Sequence, residues 1–175
     1  EMITGLDLVR LQIDIASGEK IRLAQKDIQP RGHAIECRIY AEDPENGFIP
    51  SPGKIHGFVP PEGPGIRHDT GIYAGSEISI YYDPMISKLI VHAENREAAI
   101  AKMRRALTEF EVNGPHNNIK FLRTLLSDEK FQKGEHHTQY LDQNPQLAKH
   151  AGTEFPLEVI LAAAVWHEFH PDGAV

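Results

Sequence analysis

The sequence predicts an α+β domain, an antiparallel β unit flanked by helices, on three observations. Apolar residues recur at helical spacing near the start of the chain and again beyond its middle. Between these stretches lie short runs rich in Ile, Val and Tyr, separated by proline- and glycine-rich turns. The 175 residues are 41% apolar and 25% charged, which suits one ordinary domain with its own core and a short appended segment.

The first element is a helix over residues 7–17. Leu6, Val9 and Ile13 fall on one face and Leu8, Leu11 and Ile15 on another, so the spacing predicts a helix buried between layers. Thr4 or Asp7 can cap its start and Gly18 its end. Strands follow at 33–40, 54–59, 77–82 and 88–93, divided by turns such as Pro50-Ser51-Pro52-Gly53 and the run from Pro60 to Gly65. Asn95 is a good N-cap for a second helix, whose stripe Ile100, Met103, Leu107 and Phe110 ends near Gly114. A third helix, residues 117–126, places Ile119, Leu122, Leu125 and Leu126 on a face. A polar stretch, 128–150, keeps only scattered anchors such as Phe131, Tyr140 and Leu141, and residues 156–169 form an alanine-rich helix candidate.

Composition excludes several function classes. A formal charge of −7 disfavours general binding to nucleic acid or acidic membranes. The single cysteine, Cys37, rules out an intrachain disulfide, and no stretch approaches the roughly 18 apolar residues of a membrane span. The chain begins at Glu1 and enters helical patterning almost at once, so it reads as a piece of a longer polypeptide.

Period-two alternation in strand 33–40 puts His33, Ile35, Cys37 and Ile39 on the core face. Ala34, Glu36, Arg38 and Tyr40 face the other way. Arg38, held on a rigid strand beside Glu36, suits an anion or a polarised carbonyl oxygen, although such pairs are most often structural. Asp83, in Tyr81-Tyr82-Asp83-Pro84-Met85, sits where proline ends a strand; the plain alternative is a turn aspartate with two packed tyrosines. The close histidine pairs, His136/His137 and His167/His170, lack a third ligand, so no metal site is expected. Cys37 reads as a buried inert thiol. The glycines of 57–65 are interrupted by Pro60, Pro61 and Pro64, which does not make a phosphate cradle, and no nucleophile motif is present.

Several words are more specific. Glu1-Met2-Ile3-Thr4-Gly5-Leu6-Asp7-Leu8-Val9, Gly32-His33-Ala34-Ile35-Glu36-Cys37-Arg38-Ile39-Tyr40-Ala41-Glu42-Asp43-Pro44, Pro50-Ser51-Pro52-Gly53-Lys54-Ile55 and Tyr81-Tyr82-Asp83-Pro84-Met85-Ile86-Ser87-Lys88-Leu89-Ile90 resemble the biotin carboxylase family, in the same order and at similar spacing. The likeness continues through 96–110 and Asn117-Asn118-Ile119 to about Leu141. It implies an ATP-grasp ligase that activates bicarbonate with ATP and Mg²⁺ and carboxylates the ureido nitrogen of biotin on a carrier domain. It implies too that the nucleotide, metal and bicarbonate residues lie upstream of Glu1, so the fragment alone is expected to be inactive and to bind none of these groups. Arg38 occupies the place of the arginine that reaches the biotin ureido oxygen, Asp83 that of a supporting aspartate, with Glu36 beside them. Arg67 matches a dimer-interface residue, but Pro64 stands where the neighbouring aromatic belongs.

The resemblance divides the chain into a biotin carboxylase C-terminal domain, 1–150, and the helical start of a linker, 151–175. That tail and the stretch 78–89 are similar to long α chains of acetyl-CoA or propionyl-CoA carboxylases, and no Met-Lys-Met biotinylation word occurs. Expected partners are the carrier domain, the upstream lobes and a carboxyltransferase, in the cytoplasm or the mitochondrial matrix. Two rivals are an assembly module without catalytic role and the lobe of another ATP-grasp ligase such as carbamoyl-phosphate synthetase.

Overall fold

The computed structural model describes residues 1–149. The helix candidate 156–169, the pair His167/His170 and the linker 151–175 lie outside the described residues. Helix α1 (Leu8–Ala16) starts at Asp7, whose carboxylate accepts from the Arg10 amide at 2.9 Å. The expectation that α1 is buried between layers fails in this chain: Leu8, Val9, Ile13 and Ile15 are all exposed. Apolar residues on two faces demand two covering layers, and the described residues half-bury only Leu6 and Leu11 of them.

Strand β1 (His33–Tyr40) matches its predicted bounds. Two short strands, β2 (Glu42–Asp43) and β3 (Ile49–Pro50), pair with each other. The predicted strand 54–59 is two pieces, β4 (Gly53–Lys54) and β5 (Gly57–Val59). The backbone changes partner between them: the Ile55 amide bonds the Ser76 carbonyl and the His56 amide bonds the Asn113 carbonyl. Strand β6 (Ile66–Thr70) was not predicted, because Ile-Arg-His-Asp-Thr carries a single aliphatic residue. The expected strand 77–82 shrinks to β7 (Glu77–Ile78), and the tyrosines after it are not packed: Tyr81 and Tyr82 are exposed. The loop between β7 and β8 leaves the sheet, so none of the described residues covers their rings.

Strand β8 (Met85–Ala93) is the centre of the main sheet, which runs β1-β8-β6 and is antiparallel throughout. Its pairing with β1 slips by one residue between Ile39 and Tyr40, where Ser87 opposes Ile39 and Met85 opposes Tyr40, leaving Ile86 as the extra residue of a bulge. Helix α2 (Arg96–Glu109) is capped by Asn95, whose side chain accepts from the Ala98 amide. Strand β9 (Glu111–Asn113) pairs with β5, and helices α3 (Ile119–Ser127), α4 (Glu129–Lys133), α5 (Tyr140–Gln143) and α6 (Gln146–Lys149) close the described chain.

The core lies between the inner face of the sheet and α2. Ile35, Cys37 and Ile39 of β1 and Leu89 and Val91 of β8 join Ala99, Ile100, Met103, Ala106 and Leu107 in one buried cluster. Each fully buried Ile, Leu or Met contributes roughly 1.5–3 kcal/mol of transfer free energy. That packing holds β1 and β8 in register, with Glu36, Arg38, Lys88, Arg67 and Asp69 on the opposite face of the sheet. Gly32, at φ +66°, immediately precedes β1 and lies against the end of β8; a Cβ there would collide with the Ala93 carbonyl. Among the described residues, no helix is long and apolar enough to cross a membrane.

Candidate functional site

The outer face of the main sheet carries charge in rows fixed by register. Arg38 on β1 stands directly opposite Lys88 on β8, which in turn stands opposite Asp69 on β6. The adjacent row is Glu36, Ile90 and Arg67. The predicted alternation is confirmed: Ile35, Cys37 and Ile39 are buried, while Glu36 and Arg38 are exposed. Arg38 donates from Nε to Glu36 Oε1 at 3.0 Å. Glu36 and then the Tyr40 hydroxyl hold the guanidinium above its ordinary pKa, so it keeps its charge at every working pH. With both partners about half exposed, this pair adds little stability. Its effect is orientation: Glu36 and the Tyr40 hydroxyl hold the guanidinium on the outer face of the sheet.

The backbone beneath Arg38 is fixed by a residue that the sequence does not flag, Asn118, just ahead of α3. β1 is an edge strand, so its outward backbone groups need partners other than a strand. Asn118 is 5% exposed and supplies them. Its Oδ1 accepts from the Tyr40 amide at 3.0 Å, its Nδ2 donates to the Arg38 carbonyl at 3.1 Å, and its own amide donates to the Tyr40 carbonyl. Nδ2 also reaches Glu42 Oε1 at 2.9 Å. Burial holds the Glu42 carboxyl above its usual pKa, partly offset by this bond. The only local sign was Asn117-Asn118 before a helix; that Asn118 serves β1, 78 residues away, follows from tertiary packing alone.

The other predicted residues lie at different places. Asp83 sits in the loop before β8, two residues from its start, and accepts from the Met85 amide at 2.8 Å in a turn. The carboxylate that holds Arg38 is that of Glu36. Arg67, on β6, is gripped by Asp69 on its own strand and by Glu1, at 2.9 Å in each case. Asp69 and then Glu1 raise its pKa, and Arg67 in turn holds the Glu1 carboxyl below the usual range. Cys37 faces the core, and burial pushes its thiol up to about 12. His136 and His137 turn to different rings, Phe131 and Tyr140. Among the described residues, no group of three or more His, Cys, Asp or Glu side chains is placed to hold a metal ion.

Fold and face together define an α+β domain that presents an arginine oriented by Glu36 on the outer face of its main sheet. A model of the biotin carboxylase C-terminal domain matches residues 36–143. The chain belongs to that family. It is 52% identical over 143 residues to the biotin carboxylase of Allochromatium vinosum, covering 82% of this chain and 32% of the relative. It is 47% identical over 142 residues to biotin carboxylase 1 of Bacillus subtilis, covering 81% of this chain and 32% of that protein. The biotin carboxylase domain of Hydrogenobacter thermophilus 2-oxoglutarate carboxylase, a dimer in complex with MgADP, ADP and bicarbonate, superposes with a TM-score of 0.82. Identity there is 45%, over 87% of this chain and 34% of that one. The chain therefore spans about a third of the length of these relatives.

Proposed function

We propose that this chain supplies one wall of the carboxylation site of a biotin-dependent carboxylase, with Arg38 as the residue that touches the cofactor. The observation behind the reading is Arg38 itself: a permanently charged, half-exposed guanidinium on the outer sheet face, oriented by Glu36 and with its backbone anchored by Asn118. Biotin, carried on its carrier domain, supplies a ureido group that accepts the carboxyl from activated bicarbonate. Negative charge gathers on the ureido oxygen as the ring nitrogen becomes nucleophilic, and a fixed guanidinium stabilises that charge without reorganising. Glu36 keeps Arg38 in place, and Asp83 is assigned a supporting part beside it.

ATP and Mg²⁺ belong in this reading to the upstream lobes, which makes the isolated fragment inactive. The expected partners are those lobes, the carrier domain and a carboxyltransferase. The parent enzyme is placed among acyl-CoA carboxylases of the acetyl-CoA or propionyl-CoA type, in the cytoplasm or mitochondrial matrix. Residues 1–150 form the domain and 151–175 open the linker beyond it. Arg67 is the residue through which a family-type dimer contact runs, although Glu1 and Asp69 already hold it and Pro64 offers no ring beside it.

The test joins the chain to its upstream lobes and replaces Arg38 with Ala. Biotin carboxylation is expected to fall about 10²–10³-fold, the usual weight of one oxyanion donor, with assembly intact. Undiminished carboxylation together with failed assembly would instead identify an interaction module.

A further inference from the structure

The row Arg38–Lys88 contains a second cation that the Arg38 reading leaves unused. The Arg38 carbonyl and the Tyr40 amide point away from β8 to Asn118, so Arg38 and Lys88 form a pair without hydrogen bonds between their backbones. In such pairs the Cα atoms are about 4.5 Å apart, and the side chains are closer than in the hydrogen-bonded type. On its other side, Lys88 faces Asp69 across the wider hydrogen-bonded spacing of about 5.5 Å. Two like charges directly opposite on one sheet face are unfavourable.

The neighbouring carboxylates are each already bonded to another cation. Glu36 is bonded to Arg38, and Asp69 is held in a two-bond fork by Arg67, which also takes Glu1. Lys88 is only partly exposed, and among the described residues its ammonium makes no ion pair or hydrogen bond. An ammonium and a guanidinium side by side on adjacent strands leave between them a place that suits one anion.

We infer that Lys88 is a second cationic binding residue of this site, its ammonium and the Arg38 guanidinium sharing one delocalised oxyanion. Resting on the proposed function above, that ligand is either the carboxylate-like group of bicarbonate or the charged ureido oxygen. Both present a planar oxygen-bearing carbon. Arg38 meets it with a planar fork and Lys88 with a compact point charge.

The experiment uses the enzyme assembled from this chain and its upstream lobes, labelled at lysine and arginine side chains. The Lys88 Cε–Hε and Arg38 Nε–Hε resonances are followed by NMR during titration with sodium bicarbonate, with sodium chloride at equal ionic strength as the control. Both signals are expected to move on one saturable curve absent from the chloride series. Lys88→Met should weaken binding about tenfold, the weight of one charge-assisted contact, and Lys88→Arg should restore most of it. In the assembled enzyme, kcat/KM for bicarbonate and for free biotin tells the two oxyanions apart, since Lys88→Met lowers the one that Lys88 holds. Lys88 signals that follow chloride as they follow bicarbonate, together with both kcat/KM values within twofold of the parent, would overturn the inference. Arg38→Ala judges the proposed function separately: a strong Arg38 effect with a silent Lys88 leaves that reading standing and removes this one.

Discussion

Replacing Asn118 with Ala tests whether the edge of β1 is held as described. The substitution removes three side-chain hydrogen bonds, those to the Tyr40 amide, the Arg38 carbonyl and Glu42 Oε1. A typical net contribution is about 1 kcal/mol per bond, with more for a carboxylate partner and for groups left dry. Water can reach the exposed side of Arg38 and recover part of the loss. The expected cost is therefore about 2–4 kcal/mol, a large share of the roughly 5–15 kcal/mol that holds a domain together. Urea unfolding of the 175-residue chain measures it as a lower midpoint at unchanged slope. Asn118→Asp sharpens the test, because it keeps the acceptor for the Tyr40 amide but sets a carboxylate against Glu42. It should be the worse of the two at neutral pH and should recover as the solution is acidified. A cost below about 0.5 kcal/mol for Asn118→Ala, with no faster exchange of the Tyr40 amide, would refute the clamp.

Two further predictions use groups away from the sheet face. Burial holds the Cys37 thiol up to about 12, so the native chain should be inert to a thiol reagent at pH 8 and react only as denaturant unfolds it; rapid native labelling would contradict the inward orientation. Burial also raises the Glu42 carboxyl, so the native state holds that proton more tightly than the unfolded chain. Its contribution to stability is then present at low pH and is lost as pH rises from the ordinary glutamate range through the raised native value. Glu42→Gln keeps an acceptor for Asn118 and removes the charge, so this falling limb should flatten in urea midpoints measured across that range. An unchanged pH profile would count against it.

Much of the fold was legible because single periods dominate single elements. Ile35, Cys37 and Ile39 alternate cleanly, and β1 has its predicted bounds. Ile100, Met103 and Leu107 mark a helix that the structure lays on the sheet. What failed depended on partners remote in sequence. Residues 54–59 read as one strand, yet the backbone changes neighbours at Ile55 and His56. Strand β6 has polar side chains because its outer face carries Arg67 and Asp69 and its inner face packs His68 against Phe58 and Phe110. The greasy faces of α1 read as buried, but the described residues leave Leu8, Val9, Ile13 and Ile15 exposed. For the site, alternation placed Arg38 and Glu36 together on the outer face, and the structure bonds them. Asn118 and the pairing of Lys88 with Arg38 could not be read, since both depend on strand order and register.

The bulge at Ile86 has a consequence for how this sequence is counted. Along a regular strand, residues an odd number of steps from Lys88 lie on the opposite face, and Met85 is three steps away. The extra residue shifts the phase by one, so Met85 stands opposite Tyr40 on the same side as Arg38. The first residue of β8 is thereby delivered to the face of the sheet that carries Arg38. The bulge behaves as a frameshift written in space. Removing one residue there would restore a tidy ladder and send everything before it to the wrong face, while the strand beyond it kept its place.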